Sequence, residues 1–198
     1  MMTSTSLASR KRALRKSLSS TLRALSQDDV RTQSSEIVRR VLSAPWFDEA
    51  TTISCYLSMP AGEVDTSAIA SAVLNSGKNL FVPKVDPTLH GGMGVFKIYD
   101  DEDLRSLPSG VWGIKEPTFN HCDTPRMKAT DEDSNPLDVI LIPGVGFDRS
   151  LARLGHGKGY YDRFLSSYSA IASVRGRGKP LYGKPTSKLH QWLRCARF

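Results

Sequence analysis

Cysteine is scarce in this 198-residue chain: there are three, Cys55, Cys122 and Cys195, and none belongs to a C-x-x-C pair. That argues against a disulfide framework and against a zinc site. The four histidines, His90, His121, His156 and His190, share no metal-ligand spacing. No apolar run reaches the roughly 18 residues of a membrane span, so no membrane partner is expected. The start lacks the charged, apolar and small-residue regions of a secretory signal. Nothing repeats, and the length fits one domain of ordinary size.

Acidic residues are missing from both ends. Residues 1–27 hold Arg and Ser but no Asp or Glu, the composition of a mitochondrial transit peptide. Against that reading, Leu14, Leu18, Leu22 and Leu25 make one helical stripe, and Lys11 and Arg15 continue its row toward the body. The expected compartment is the cytoplasm, with the mitochondrion as the alternative. Residues 166–198 also lack acids and carry Arg175, Arg177, Lys179, Lys184, Lys188, Arg194 and Arg197. These basic residues account for the whole net charge of +7, leaving a neutral body. A nucleic-acid partner is therefore not expected: the basic excess is confined to the end of the chain, where Tyr182, Trp192 and Phe198 are too few for a stacking platform.

The rest of the chain reads as alternating helices and strands. A helix starts near Arg10, and its first turns crowd Arg10, Lys11, Arg12, Arg15 and Lys16. Positive charge there opposes the helix dipole unless an anion visits. A second helix is capped by Ser26 with Asp29 three residues on, and Pro45 is expected to end it. Residues 51–59 (TTISCYLSM), 80–85 (LFVPKV) and 95–99 read as strands, with a short helix over 66–75. The acidic run 100–103 reads as a solvated loop or helix start. Residues 125–135 are polar and expected to be mobile. Residues 137–143 (LDVILIP) form an unbroken apolar run, the mark of a strand buried on both faces. A helix begins at Tyr160. This pattern predicts an α/β fold: a single three-layer domain over residues 1–181, with a largely parallel sheet flanked by helices.

The chemistry concentrates in residues 141–165, LIPGVGFDRSLARLGHGKGYYDRFL. A buried strand ends at Pro143, two glycine groups follow, and a helix begins. Ligands of open α/β sheets bind beyond the carboxyl ends of strands. Glycines let the backbone approach a phosphate, and a helix start favours anions. Arg153 and Lys158 add positive charge, His156 adds donors, and Asp162 offers the carboxylate that Mg²⁺ takes beside phosphates. The spacing matches neither a P-loop nor a dinucleotide fingerprint. A plain flexible connection remains open on the glycines alone.

KRALR at 11–15, LSMPAGEVDT at 57–66, FVPKV at 81–85, WGIKEP at 112–117, and DVILIPGVGFD followed by RLGHGKGYYDRFL resemble, in order, the signature of the 5-formyltetrahydrofolate cyclo-ligase family. The likeness runs from about residue 10 to about 181. It implies an ATP-dependent enzyme that cyclises 5-formyltetrahydrofolate to 5,10-methenyltetrahydrofolate, releasing ADP and phosphate, with ATP as co-substrate and Mg²⁺ as cofactor. It implies ATP contacts at Lys11, Arg15, Arg153, Leu154, Gly155, His156, Gly157, Lys158, Gly159, Tyr160 and Tyr161, with Lys158 catalytic. Folate contacts are implied at Leu57, Glu63 and Trp112, and at His156, Gly157, Lys158, Gly159 and Tyr160, which would face both substrates. Asp162 is the implied metal ligand, and a monomer is expected.

After Leu181 the likeness stops. The family continues with a further apolar strand and a segment bearing a second metal carboxylate, whereas this chain reads YGKPTSKLHQWLRCARF. The expectation is that residues 182–198 form a disordered basic tail, that one or two final strands are missing, and that activity is impaired. A non-catalytic folate- or nucleotide-binding remnant is the alternative reading.

Overall fold

The computed structural model describes residues 6–150 and 152–183. Its elements, in order, are α1 (Leu7–Arg23), α2 (Gln27–Leu42), α3 (Pro45–Glu49), β1 (Thr52–Ser54), α4 (Ser67–Asn75), β2 (Asn79–Val85), β3 (Met93–Ile98), α5 (Asp101–Ser106), β4 (Asn120–His121), β5 (Thr124–Pro125), β6 (Val139–Leu141), β7 (Gly146–Phe147), β8 (Arg153–Leu154), α6 (Tyr160–Val174) and β9 (Leu181–Gly183). The main sheet has the order β3-β2-β1-β6-β9. Within this sheet, among the described residues, only the β2–β3 pairing is antiparallel. The α/β architecture read from the sequence is the one observed.

Side chains alternate across the strands with period two. Leu80 and Val82 of β2, with Val139 and Leu141 of β6, join a core against α2, α3, α4 and α5 that includes Ile37, Val41, Phe47 and Ile69. Phe81 and Ile140, pointing the other way, meet Phe164, Tyr168 and Ala172 of α6. The sheet is thus covered on both faces. Its start is pinned by Asp138, whose Oδ2 accepts from the Thr51 amide (2.8 Å), the Thr51 hydroxyl (2.9 Å) and the Thr52 amide (3.0 Å).

Several local expectations change. Residues 51–59 do not form one strand: β1 pairs over three residues, and then side chains take over the backbone groups. The Thr66 hydroxyl donates to the Tyr56 carbonyl (2.6 Å), and the Glu63 carboxylate accepts from the Met59 amide (2.9 Å). Strand propensity cannot say where such competition begins. Pro45 does not close α2; it opens α3 from the first turn, where its missing N–H costs nothing. Residues 125–135 are anchored: the Lys97 amide bonds the Met127 carbonyl and the Ala129 amide bonds the Val95 carbonyl, both at 2.9 Å. They cover the outer edge of β3, which would otherwise expose unpaired groups.

The acidic run starts α5, and Asp103 is buried in a bidentate pair with Arg126 (2.6 and 2.8 Å). Helix α1 buries no residue fully; Leu18, Leu22 and Leu25 are half-buried and Leu14 is exposed. β9 adds a strand parallel to β6, pairing Tyr182 with Ile140 and Gly183 with Leu141. The sheet therefore extends two residues past the expected boundary at 181. The expectations about residues 184–198, a disordered tail without a second metal carboxylate, lie outside the described residues.

Candidate active site

β1, β2 and β6 run parallel and open their carboxyl ends on one edge of the sheet. Each delivers a loop there: residues 55–66 after β1, the turn 86–92 after β2, and residues 142–159 after β6.

The last of these is ordered by its own hydrogen bonds. β7 and β8 pair as a hairpin, closed by Asp148, which accepts from the Ser150 amide (2.9 Å), the Ser150 hydroxyl (2.7 Å) and the Ala152 amide (2.9 Å). The hairpin presents Arg153, whose Nη1 donates to the Pro143 carbonyl at 3.1 Å and whose Nη2 pairs with Asp162. The chain then turns into α6 through Gly159, which caps the helix in the left-handed region at φ 70°, a conformation glycine adopts without strain. His156, Gly157 and Lys158 are exposed at the crest of the loop.

Two other elements reach this crest. From α1, Arg15 donates from Nε to the Gly155 carbonyl at 2.8 Å, and its guanidinium carbon lies 3.4 Å from where a side chain on Gly157 would begin. Lys11, one turn earlier, is exposed. From the loop after β1, Glu63 holds Oε1 3.5 Å from His156 Nε2, with its side chain only 10 % exposed. Tyr56 and Tyr161 lie behind Glu63. Burial, followed by the Glu63 charge, pushes both phenols well above their ordinary value, so they act as neutral walls.

The sequence-predicted residues therefore divide. Arg15, Gly155, His156, Gly157 and Glu63 converge, and Arg153 is joined to Asp162 beside them. Leu154 lies in β8, and Tyr160 is half-buried. Tyr161 packs against both cores, and Leu57 packs against the core under α2 and α4. Trp112 stands on a separate loop, 56 % exposed, with φ 64°. Left-handed backbone at a bulky residue costs free energy and is an outlier to be explained. That loop reaches the Glu63 loop: a Cβ on Gly113 would lie 3.2 Å from Pro60 Cγ.

Sequence reading missed three charged residues at this edge. Glu116 is buried under the Trp112 loop, 3.8 Å from Lys84 at the end of β2. Burial raises its carboxyl above the ordinary range. Arg163, on α6, donates from Nη1 to the Lys158 carbonyl at 2.9 Å. All three stand inside quoted motifs, and only their partners distinguish them.

Among the described residues no cluster of three or more His, Cys, Asp or Glu side chains could hold a metal alone. A lone carboxylate such as Asp162, 73 % exposed on the first turn of α6, fits the Mg²⁺ coordination in which phosphates and waters supply the other ligands. No helix among the described residues is long and apolar enough to cross a membrane.

A glycine-rich strand-to-helix connection at the carboxyl edge of an α/β sheet is thus met by Arg15 on one side and by a shielded carboxylate on the other. The chain belongs to the 5-formyltetrahydrofolate cyclo-ligase family, whose model matches residues 7–181. It is 34 % identical to mouse 5-formyltetrahydrofolate cyclo-ligase over 83 % of this chain and 77 % of that one. It is also 34 % identical to the mitochondrial 5-formyltetrahydrofolate cyclo-ligase of Arabidopsis thaliana, over 89 % of this chain and 64 % of that one. Its fold matches the solved Aquifex aeolicus 5,10-methenyltetrahydrofolate synthetase with a TM-score of 0.67 and 27 % identity, over 95 % of this chain and 84 % of that one.

Proposed function

We propose that this protein uses ATP to cyclise 5-formyltetrahydrofolate to 5,10-methenyltetrahydrofolate, releasing ADP and phosphate. The observation that carries the reading is the approach of His156 to Glu63 at 3.5 Å. It joins the loop suited to a triphosphate with the loop suited to a folate, and the reaction needs both reactants in one place.

The triphosphate lies along residues 153–161, against backbone amides and the start of α6, where the helix dipole favours negative charge. Arg15, Lys11 and Arg153 neutralise it, and Lys158 serves the transferring phosphoryl group. Glu63 accepts hydrogen bonds from pterin nitrogens, and the Trp112 ring stacks on the folate. Asp162 would hold Mg²⁺, with Arg153 released toward the nucleotide; the ion when bound neutralises charge on the phosphates.

The formyl oxygen attacks the γ-phosphorus, forming one P–O bond as the bond to ADP breaks. N10 then adds to the activated carbon and loses its proton, and the C–O bond breaks to release phosphate. The protein's part is positioning and charge stabilisation.

The test is to label the formyl oxygen with a heavy isotope and follow it by mass spectrometry. The reading expects the label in inorganic phosphate, and only when ATP is present. Label retained on the folate, or lost to water without ATP, overturns it. Binding of both ligands without turnover would identify a non-catalytic remnant of the family.

A further inference from the structure

We infer that Arg163 is a positioning residue for the reaction proposed above, bracing the loop of Lys158 against the β2–β3 turn. The inference rests on that reading of the loop as the phosphate site.

The exposed Arg163 side chain spans two segments far apart in the chain. Its Nε donates to the Gly91 carbonyl at 2.8 Å, and its Nη1 donates to the Lys158 carbonyl at 2.9 Å. Its guanidinium stands 5.3 Å from the centre of the Tyr160 ring. The turn is shaped to receive it. The Gly92 amide bonds the Leu89 carbonyl at 2.8 Å, and the Asp86 amide bonds the Gly92 carbonyl at 3.1 Å, closing residues 86–92 into a compact unit. Gly92 has φ +76°, and a Cβ there would lie 3.0 Å from Tyr160 Cε1. Only a glycine lets the turn seat flush on the start of α6.

The brace answers a need of the loop. Lys158 sits between Gly157 (φ +98°) and Gly159 (φ +70°), two residues that restrict the backbone least. Its amine can be aimed only if its peptide plane is held from outside. Exposed hydrogen bonds exchange with water and add little to stability, so these two act on conformation rather than on folding. A guanidinium suits the task because its fixed fork reaches two carbonyls at once, which an ammonium on a flexible stem does not reproduce.

Calorimetric ATP affinity and steady-state kinetics of Arg163→Ala, Arg163→Lys and Gly92→Ala test this, with Lys158→Ala in parallel. Arg163→Ala should lower kcat/KM for ATP about tenfold, leave KM for 5-formyltetrahydrofolate and the melting temperature unchanged, and be only partly rescued by Lys. Gly92→Ala should weaken ATP use in the same way. The double variant should lose less than the product of the two single losses. Equal rises in both KM values with a lower melting temperature would mark a merely structural residue and overturn the proposal. So would unchanged ATP kinetics in Arg163→Ala while Lys158→Ala is inactive, an outcome that leaves the cyclo-ligase reading standing. If the unmodified chain shows no turnover, that reading fails, and ATP affinity alone decides on the brace.

Discussion

Arg15 Nε donates to the carbonyl oxygen of Gly155 at 2.8 Å, across 140 residues of chain. This bond brings the Arg15 guanidinium of α1 onto the glycine loop, beside Gly157. Replacing Arg15 by Ala removes a charge-assisted hydrogen bond and a phosphate partner together. ATP affinity should fall about tenfold or more, while Arg12→Ala, exposed on the same helix, should not change it. Isothermal titration with a non-hydrolysable ATP analogue checks both.

Glu63, the proposed folate contact, faces the glycine loop through His156. Its carboxylate is shielded, accepts from the Met59 amide and faces His156. Glu63→Gln should raise KM for 5-formyltetrahydrofolate about tenfold or more, since one acceptor becomes a donor against the pterin, and leave ATP affinity intact. A matched loss of both affinities would place Glu63 in the scaffold.

The Asp103–Arg126 pair should set the acid limb of stability. Burial pushes the Asp103 carboxyl up, but the Arg126 hydrogen bonds, the Tyr99 amide and the Arg126 charge outweigh it and leave the group below its ordinary value. The folded state therefore holds the charged form more tightly than the unfolded chain does. That stability is fully present above the unfolded value of about 3.9 and is lost as pH falls through the lower folded value. Asp103→Asn leaves a buried guanidinium without its counter-charge and should cost about 3–5 kcal/mol at neutral pH. It should also flatten the acid dependence measured by urea unfolding; an unchanged acid limb would contradict the assignment.

The two described cysteines should differ in reactivity. Burial pushes the Cys55 thiol up to about 12, so almost no thiolate forms near neutrality, whereas Cys122 is exposed on the β4–β5 turn. Brief maleimide labelling of the native protein, mapped by mass spectrometry, should mark Cys122 and spare Cys55 until denaturant is added.

Much of this was legible in the sequence because it is local. The run 137–143 announced a strand buried on both faces, Ser26 announced the start of α2, and the glycines before Tyr160 announced a strand-to-helix loop. What stayed hidden depends on partners far along the chain. Residues 125–135 look mobile until Arg126 finds Asp103, 23 residues earlier. β1 looks longer than it is until Glu63 and Thr66 claim the backbone of the following residues. Lys84, Glu116 and Arg163 are ordinary charges in a string of letters, and only tertiary contact shows what they hold.

The most direct measurement is the near-ultraviolet absorbance of methenyltetrahydrofolate in purified protein given 5-formyltetrahydrofolate, Mg²⁺ and ATP. The account predicts product that requires ATP and disappears in Lys158→Ala, with the circular dichroism of the fold unchanged. A folded chain that makes no product from both substrates, or a Lys158→Ala variant as active as the parent, would contradict it.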